Sequence, residues 1–226
     1  DRGRQLLDDP SMRHEAALWL DYALRRDSTS QTLRPLLADA LRPLYANRAV
    51  LVDPLQIPGG WAVPEIADAA YSPDGGLVAT AGHDGMVRLW DVATGRLIRR
   101  MAGHTGEVSS VSFSPDGRAL VSAGVDGTAR VRLSDSGNAP VLITHGSPLH
   151  SAEYSPDATR IITAGADKTV QIWDASSGQR ITALREHSDE VMAATYSQNG
   201  RLIATASKDK LALLWDARTY QLIAKL

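Results

Sequence analysis

A pattern that returns every 41 or 42 residues constrains this chain more than any other feature. It is first complete in the stretch YSPDGGLVATAGHDGMVRLWD, at 71–91. The aromatic residue that opens the stretch recurs at Tyr71, Phe113, Tyr154 and Tyr196, and nineteen residues after each come Trp90, Arg132, Trp173 and Trp215. A fixed period of this length is typical of repeat proteins, in which one unit cannot bury its apolar face alone and packs on its copies.

Each copy contains four short apolar segments separated by turn residues, which predicts a four-stranded antiparallel meander with strands a to d. The turn after strand a reads Ser-Pro-Asp-Gly at 72–75 and 114–117, Ser-Pro-Asp-Ala at 155–158 and Ser-Gln-Asn-Gly at 197–200. Proline presets the first turn dihedral and glycine accepts a positive φ. These residues therefore predict turns and carry no catalytic chemistry.

Further residues recur at fixed offsets within the copies. Trp-Asp pairs stand at 90–91, 173–174 and 215–216, Gly103-His104 opens the second copy, and turn aspartates lie six residues before the Trp position, at Asp84, Asp126, Asp167 and Asp209. With these residues, 61–226 resembles the WD-repeat β-propeller family in four copies. The resemblance implies a mainly β fold, a partial propeller of four blades at 61–102, 103–143, 144–185 and 186–226.

In that family a His, a strand-b Ser or Thr, the turn Asp and the strand-c Trp form a hydrogen-bonded chain inside each blade. The resemblance assigns this role to Thr80, Asp84 and Trp90; His104, Ser122 and Asp126; His145, Thr163, Asp167 and Trp173; and His187, Thr205, Asp209 and Trp215. Ala62 stands at the His position of the first blade, and Arg132 replaces the Trp of the second. We expect the second blade to be the least rigid, with Arg132 reaching toward solvent.

A Ser or Thr, a His and an Asp together also suggest a hydrolase. A catalytic triad is needed once, whereas this set recurs in successive copies and a Trp accounts for each hydroxyl, so we expect no enzyme activity. With no cysteine, no phosphate-binding loop and no metal-ligand spacing, we expect neither cofactor nor metal. The alternative is a small-ligand binder or hydrolase that uses the central channel, where His150 and Glu153 are the one pair worth testing.

The charge balance bears on partners. A net charge of −2 and a pI near 6.3 disfavour a nucleic-acid or anionic-membrane surface, because those partners require clustered Lys and Arg. No apolar stretch reaches the length of a membrane span. The absence of cysteine fits a reducing compartment, and we expect a cytoplasmic location.

The resemblance implies that a partner binds the narrower face, formed by the loops that join d to a and b to c. The candidate residues on these loops are His83, Thr105, Glu107, Val125, Pro148, Ala166, Asp189, Glu190 and Lys208. They include no aromatic cluster that would identify an anchor. The leading hypothesis is a non-catalytic protein-interaction scaffold or sensor in a larger bacterial signalling or defence protein.

Residues before the repeats have a helical period. Apolar positions at spacings of three and four predict two helices within 1–47, a hairpin that weakly resembles a tetratricopeptide unit. It is either a connector to other helical repeats or a packing cap. Residues 48–60 predict a linker that contains an outer strand, at 49–57.

The predicted strand at 49–57 would be surplus if the ring closed within these 226 residues. We therefore expect a fragment of a longer protein, in which further blades beyond Leu226 complete a ring. The alternative is closure by a second copy of the chain.

Overall fold

The structure of the chain, a computed structural model, describes residues 65–134 and 141–226. They belong to one compact unit that extends over Pro64–Leu226. The predicted helical hairpin of 1–47 and the predicted linker and strand of 48–60 lie outside the described residues.

Sixteen strands form four antiparallel sheets of four strands each, in simple meander order. We call each sheet a blade. Blade 1 contains β1 (Ile66–Tyr71), β2 (Leu77–Gly82), β3 (Val87–Asp91) and β4 (Leu97–Met101). Blade 2 contains β5 (Val108–Phe113), β6 (Ala119–Gly124), β7 (Thr128–Leu133) and β8 (Val141–Thr144).

Blade 3 contains β9 (Leu149–Tyr154), β10 (Arg160–Gly165), β11 (Val170–Asp174) and β12 (Arg180–Leu184). Blade 4 contains β13 (Val191–Tyr196), β14 (Leu202–Ser207), β15 (Ala212–Asp216) and β16 (Leu222–Lys225). The mainly β class and the four-stranded meanders predicted from the repeat are confirmed for the described residues. Strand β8 ends at Thr144, one residue into the range predicted for the third blade.

The turns between strands a and b are closed by their own side chains. In blade 1, Ser72 Oγ donates to Asp74 Oδ1 over 2.6 Å, and Asp74 Oδ1 also accepts the Gly76 N–H over 3.0 Å. Gly75 follows with φ +71°, the left-handed conformation that glycine adopts without a Cβ clash. Ala158 takes the same conformation in blade 3, with φ +58°.

Neighbouring blades pack through two apolar faces, and the core lies at these seams. The trailing face of blade 1, which includes Ala79, Ala81 and Leu89, clusters with Val111 and Phe113 of blade 2. The same arrangement joins blade 2 to blade 3 and blade 3 to blade 4. Small residues on the trailing face let the next blade approach closely, so each seam buries aliphatic and aromatic side chains almost completely.

The inner strands β1, β5, β9 and β13 contact one another in that order. Side chains on these strands hydrogen-bond the next inner strand. Asp68 Oδ2 accepts the Val111 N–H over 2.9 Å, and Ser151 Oγ accepts the Ala194 N–H over 3.3 Å. Polar side chains of the inner strands thus join neighbouring blades.

Among the described residues, no further blade packs on the trailing face of blade 4. Ala204 and Ala206 are exposed, whereas their counterparts Ala79 and Ala81 in blade 1 are 0% exposed. Leu214 is half-buried, although the equivalent Leu89 is 1% exposed. Blade 4 therefore exposes the apolar surface that, in blades 1 to 3, is covered by the next blade.

Candidate functional site

Blade 3 contains a complete chain of buried polar side chains. Trp173 Nε1–H donates to Thr163 Oγ1 over 2.8 Å, and Thr163 Oγ1 lies 2.8 Å from His145 Nδ1. The other ring nitrogen, His145 Nε2, lies 3.1 Å from Asp167 Oδ1. Thr163 accepts from the indole and has a hydroxyl hydrogen left for the imidazole, which in turn donates to the carboxylate. The chain therefore satisfies each buried donor while it ties strands β10 and β11 to the two loops that carry His145 and Asp167.

Blade 4 repeats this chain. Trp215 Nε1–H donates to Thr205 Oγ1 over 3.2 Å, Thr205 Oγ1 lies 2.8 Å from His187 Nε2, and His187 Nδ1 lies 2.8 Å from Asp209 Oδ2. Asp209 Oδ2 also accepts the Ser188 N–H over 2.9 Å. The carboxylate thus holds both the histidine and the loop that carries it.

Blade 2 has the chain without its tryptophan. His104 Nε2 lies 2.9 Å from Ser122 Oγ, and His104 Nδ1 lies 3.1 Å from Asp126 Oδ1. Asp126 also accepts the Thr105 N–H over 3.0 Å and the Thr128 hydroxyl over 2.7 Å. Thr128 was not among the predicted residues; its position two after the turn Asp, shared by Thr169 in blade 3, is the pattern that could have identified it.

The prediction that Arg132 reaches toward solvent is wrong. Its Nη2 donates to the Ala102 carbonyl, and the side chain is half-buried over Gly103. The guanidinium has turned back onto the blade, where the exposed Ala102 carbonyl accepts its hydrogen bond.

In blade 1 a different residue pairs with the turn aspartate. Trp90 Nε1–H donates to Thr80 Oγ1 over 3.0 Å, as in the complete chains. Asp84 accepts two hydrogen bonds from the guanidinium of Arg88, over 2.6 and 3.1 Å. Arg88 is only 5% exposed. Sequence reasoning missed it, although an arginine four residues after an aspartate that lacks its histidine could have suggested the pair.

Burial and hydrogen bonding set the protonation states in these chains. Burial lowers the pKa of His104 and of His145, and the neighbouring aspartates offset this only in part. Burial alone would raise the pKa of Asp126, but hydrogen bonds from Thr128, the Thr105 N–H and His104 outweigh it and hold the pKa at about 2. A neutral imidazole that donates to an ionised carboxylate is the pairing expected in a structural hydrogen-bonded chain.

The loops predicted to bind a partner meet in pairs at one end of the strands, a surface we call the loop face. In each blade a residue of the b–c loop donates its N–H to a carbonyl of the d–a loop. The four bonds are His83 to Glu65, Val125 to Glu107, Ala166 to Pro148 and Lys208 to Glu190, at 2.9–3.0 Å. Eight of the nine predicted positions thus lie on or beside these bonds, and Thr105 is held by Asp126.

Side chains on the loop face form polar contacts both within a blade and between blades. His83 Nε2 of blade 1 lies 3.2 Å from Glu107 Oε1 of blade 2. Lys208 Nζ donates to Glu190 Oε2 over 2.8 Å, and Lys168 Nζ donates to the Ser188 carbonyl over 2.8 Å. Val125 is 41% exposed beside them. The face therefore combines ordered polar side chains with the exposed apolar side chains of Val125 and Pro148.

The pair expected in the channel does not form as predicted. His150 Nε2 lies 3.0 Å from Glu190 Oε2, across the seam to blade 4, and Glu153 instead interacts with Thr195. Burial raises the pKa of Glu153. His150 and Glu153 diverge because residues three apart on a strand point to opposite faces.

The described residues contain neither a metal-binding group of side chains nor a helix that could span a membrane. No group of three or more His, Asp or Glu side chains there is placed to hold a metal ion. No helix with the length and hydropathy of a membrane span occurs in the described part of the chain.

Comparison with known families bears on all four blades. The WD40 family (WD domain, G-beta repeat) matches four stretches, 57–91, 95–132, 139–174 and 178–216. Repeats of this family generally mediate protein–protein interactions, and the proteins that carry them are generally non-catalytic scaffolds. Because the four matches cover more than half of the sequence, and each ends in the strand c that the structure places in one blade, the chain belongs to the WD40-repeat family.

Proposed function

We propose that this chain is a non-catalytic interaction module, a scaffold or sensor in a larger bacterial signalling or defence protein of the cytoplasm, and that it binds its protein partner through the loop face. The observation that carries this proposal is the cross-linked charge pattern of that face. Glu190 accepts from Lys208 and contacts His150 of the neighbouring blade. Side chains held in this way are ordered before a partner arrives, so less conformational entropy is lost on binding.

The use of the polar side chains supports a non-catalytic role. A hydrolase needs a nucleophile whose hydroxyl is free to attack. In blades 3 and 4, Thr163 and Thr205 each accept an indole N–H and contact a buried imidazole. Both hydroxyls are buried, which leaves substrate no access to them.

We further propose that another blade packs on the trailing face of blade 4, either from a continuation of the chain or from a second copy. The exposed Ala204 and Ala206 support this, because their counterparts in the other three blades are buried by the next blade. An apolar sheet face of this kind is typical of an interface.

Charge reversal on the loop face tests the partner site. The chain is immobilised and used to capture proteins from a lysate of the source cells, with Glu107→Lys and Lys208→Glu as test variants. Arg118→Glu, on an exposed turn at the opposite end of the strands, is the matched control. We expect a specific partner to be captured by the wild type and the control and lost with both test variants.

A partner retained equally by all four proteins would place recognition elsewhere and contradict the loop-face proposal. Thermal unfolding of each variant separates loss of binding from loss of fold. Surface charges of this kind contribute about 0–1 kcal/mol to stability, so the variants should unfold close to the wild-type temperature.

A further inference from the structure

The seam between blades 3 and 4 departs from the repeat at positions where the other blades agree. The first residue of strand b is Leu77 in blade 1, Ala119 in blade 2 and Leu202 in blade 4, but it is Arg160 in blade 3. The other blades place an apolar side chain at this half-buried position, so packing of the strand does not require the guanidinium of Arg160. The contacts that Arg160 makes with blade 4 therefore bear on the role of its charge.

A second departure lies across the seam, in the turn between β15 and β16. Blades 1 and 3 place Gly95 and Gly178 there, with φ of +65° and +69°, but blade 4 places Tyr220 there, with φ +60°. A bulky residue in the left-handed region is strained. Tyr220 is held in this conformation with its hydroxyl 2.8 Å from Arg160 Nη1, which donates to it.

The third departure is the a–b turn of blade 4. Where the other three blades have Pro-Asp, this turn has Gln198-Asn199. The seams between blades 1 and 2 and between blades 2 and 3 each carry two turn aspartates. At the seam between blades 3 and 4 Asn199 replaces one of them, so a negative charge has been removed beside the added Arg160.

The first and third departures border one cavity of about 280 Å³, whose wall includes Asp157, Arg160, Tyr196, Gln198 and Asn199. Tyr220 contacts Arg160 from outside this wall. Small-ligand pockets usually measure about 300–1,000 Å³. The cavity is therefore sized for one or two side chains of a partner and not for a large cofactor. It opens among the a–b turns, at the end of the strands opposite to the loop face.

A buried hydroxyl in this wall lacks a partner. Tyr196 is 8% exposed, and its hydroxyl oxygen has no hydrogen-bond partner among the described residues. Leaving a buried hydroxyl unpaired costs free energy. Phe113 fills the same position in blade 2, so the packing requires only the ring. The hydroxyl is an unused donor at a site where phenylalanine would pack.

Arg160 also has capacity left. Its Nη1 donates to the Ala217 carbonyl over 3.2 Å and to the Tyr220 hydroxyl, and the guanidinium lies 5.8 Å from the Tyr220 ring centroid. No carboxylate of the described residues lies within ion-pair distance of it. Asp157, the nearest acid of the wall, directs Oδ1 to Ser155 and Thr159. These contacts orient the guanidinium, which forms no ion pair with a carboxylate of the described residues. The pKa of Asp157 in the same wall is lowered first by the hydrogen bond from Ser155 and also by the charge of Arg160.

We propose that this cavity binds a carboxylate side chain, a Glu or Asp of a partner peptide, with Arg160 supplying the positive charge and the Tyr196 hydroxyl donating a hydrogen bond. Arginine suits a planar carboxylate because its donors match the two oxygens. The choice of a peptide over a free metabolite rests on the proposed interaction role. The site itself is separate from the loop face.

The test is a titration of the ¹⁵N-labelled chain with N-acetyl-glutamate N-methylamide, followed by amide chemical shifts, with the neutral glutamine analogue as the control probe. We expect saturable shifts in 155–160 and 197–200 with the glutamate probe only. Arg160→Leu, which copies blades 1 and 4, should weaken binding at least about tenfold. Arg118→Leu removes the same charge at another turn and should leave binding unchanged.

Tyr196→Phe separates binding from folding. It keeps the ring, so we expect unchanged or higher thermal stability together with binding of the glutamate probe weakened several-fold. Equal binding of both probes, or full binding by Tyr196→Phe, would overturn the proposal. Loss of the lysate partner on charge reversal of the loop face has no bearing on this titration, so the two proposals fail separately.

Discussion

Buried histidines make this fold sensitive to mild acid. His104 and His145 contact an aspartate through one ring nitrogen and a hydroxyl through the other. In blade 3 the Thr163 hydroxyl accepts the indole N–H and therefore donates to the ring, so this chain requires a neutral imidazole. Burial lowers the pKa of both histidines from the ordinary value of 6.5, and the folded state therefore resists taking up the proton.

We predict that the free energy of unfolding decreases as the pH falls below about 6.5. In this window the unfolded chain binds protons at these histidines and the folded chain does not, so acid favours unfolding. Asp126 acts in a lower window, because its contribution is lost only between pH 3.8 and its folded pKa of about 2. Urea unfolding at pH 7.5 and 5.5 measures the effect.

Two variants identify the groups responsible. His104→Asn should make the stability less dependent on pH in this range. Glu153→Gln should make the loss on acidification steeper, because the pKa of Glu153 is raised by burial and its protonation stabilises the folded state. A pH dependence that His104→Asn leaves unchanged would count against this account.

At the scale of the element, the blades differ in how many hydrogen bonds their polar chains contain. Blades 3 and 4 join strand c to strand b through an indole N–H, whereas in blade 2 Ser122 contacts only the imidazole of the chain. A hydroxyl that serves two buried partners is more costly to remove than one that serves a single partner.

We predict that Thr163→Val destabilises the chain by about 3 kcal/mol and the matched Ser122→Ala by about 1–2 kcal/mol. Valine keeps the shape of threonine, so the first loss comes from the unpaired Trp173 N–H and His145 nitrogen. Midpoints of urea unfolding, at an unchanged denaturant slope, measure the difference. Equal losses would mean that the tryptophan adds nothing to the chain.

For the whole molecule, the exposed trailing face of blade 4 is the apolar surface through which we expect one chain to associate with another. Each internal seam buries this face almost completely. Exposed apolar sheet surface promotes association with other chains. The same face that extends the repeat inside the chain is therefore available to a further blade.

We predict that the 226-residue chain self-associates with increasing concentration and that Ala204→Glu abolishes this. A buried carboxylate without a partner is too costly to keep in an apolar seam. Light scattering during gel filtration measures the mass, and Ile181→Glu, on the outer strand of blade 3 and 47% exposed, is the control. A discrete dimer favours a second copy, and a range of larger species favours missing blades. A monomeric wild type would contradict the prediction.

Much of the fold followed from spacing, because the contacts that build one blade are local. Thr80 and Trp90 lie ten residues apart on adjacent strands, and the family resemblance implied their hydrogen bond. Departures from the repeat were harder to interpret. Arg88 and Arg132 both replace expected partners, and their contacts depend on which acceptor lies within reach.

The repeat in the sequence predicted the strands and their order, because a fixed period places the same side chains at the same points of each meander. The family resemblance implied the polar chains of blades 2, 3 and 4. The three-dimensional arrangement was needed to show where His150 finds its carboxylate, how the loop face is cross-linked, and that Arg160 and Tyr196 line one cavity while Tyr220 contacts Arg160. The physical reason is that these contacts join residues about twenty to sixty positions apart, and most of them cross a seam, so they depend on how one sheet packs on the next.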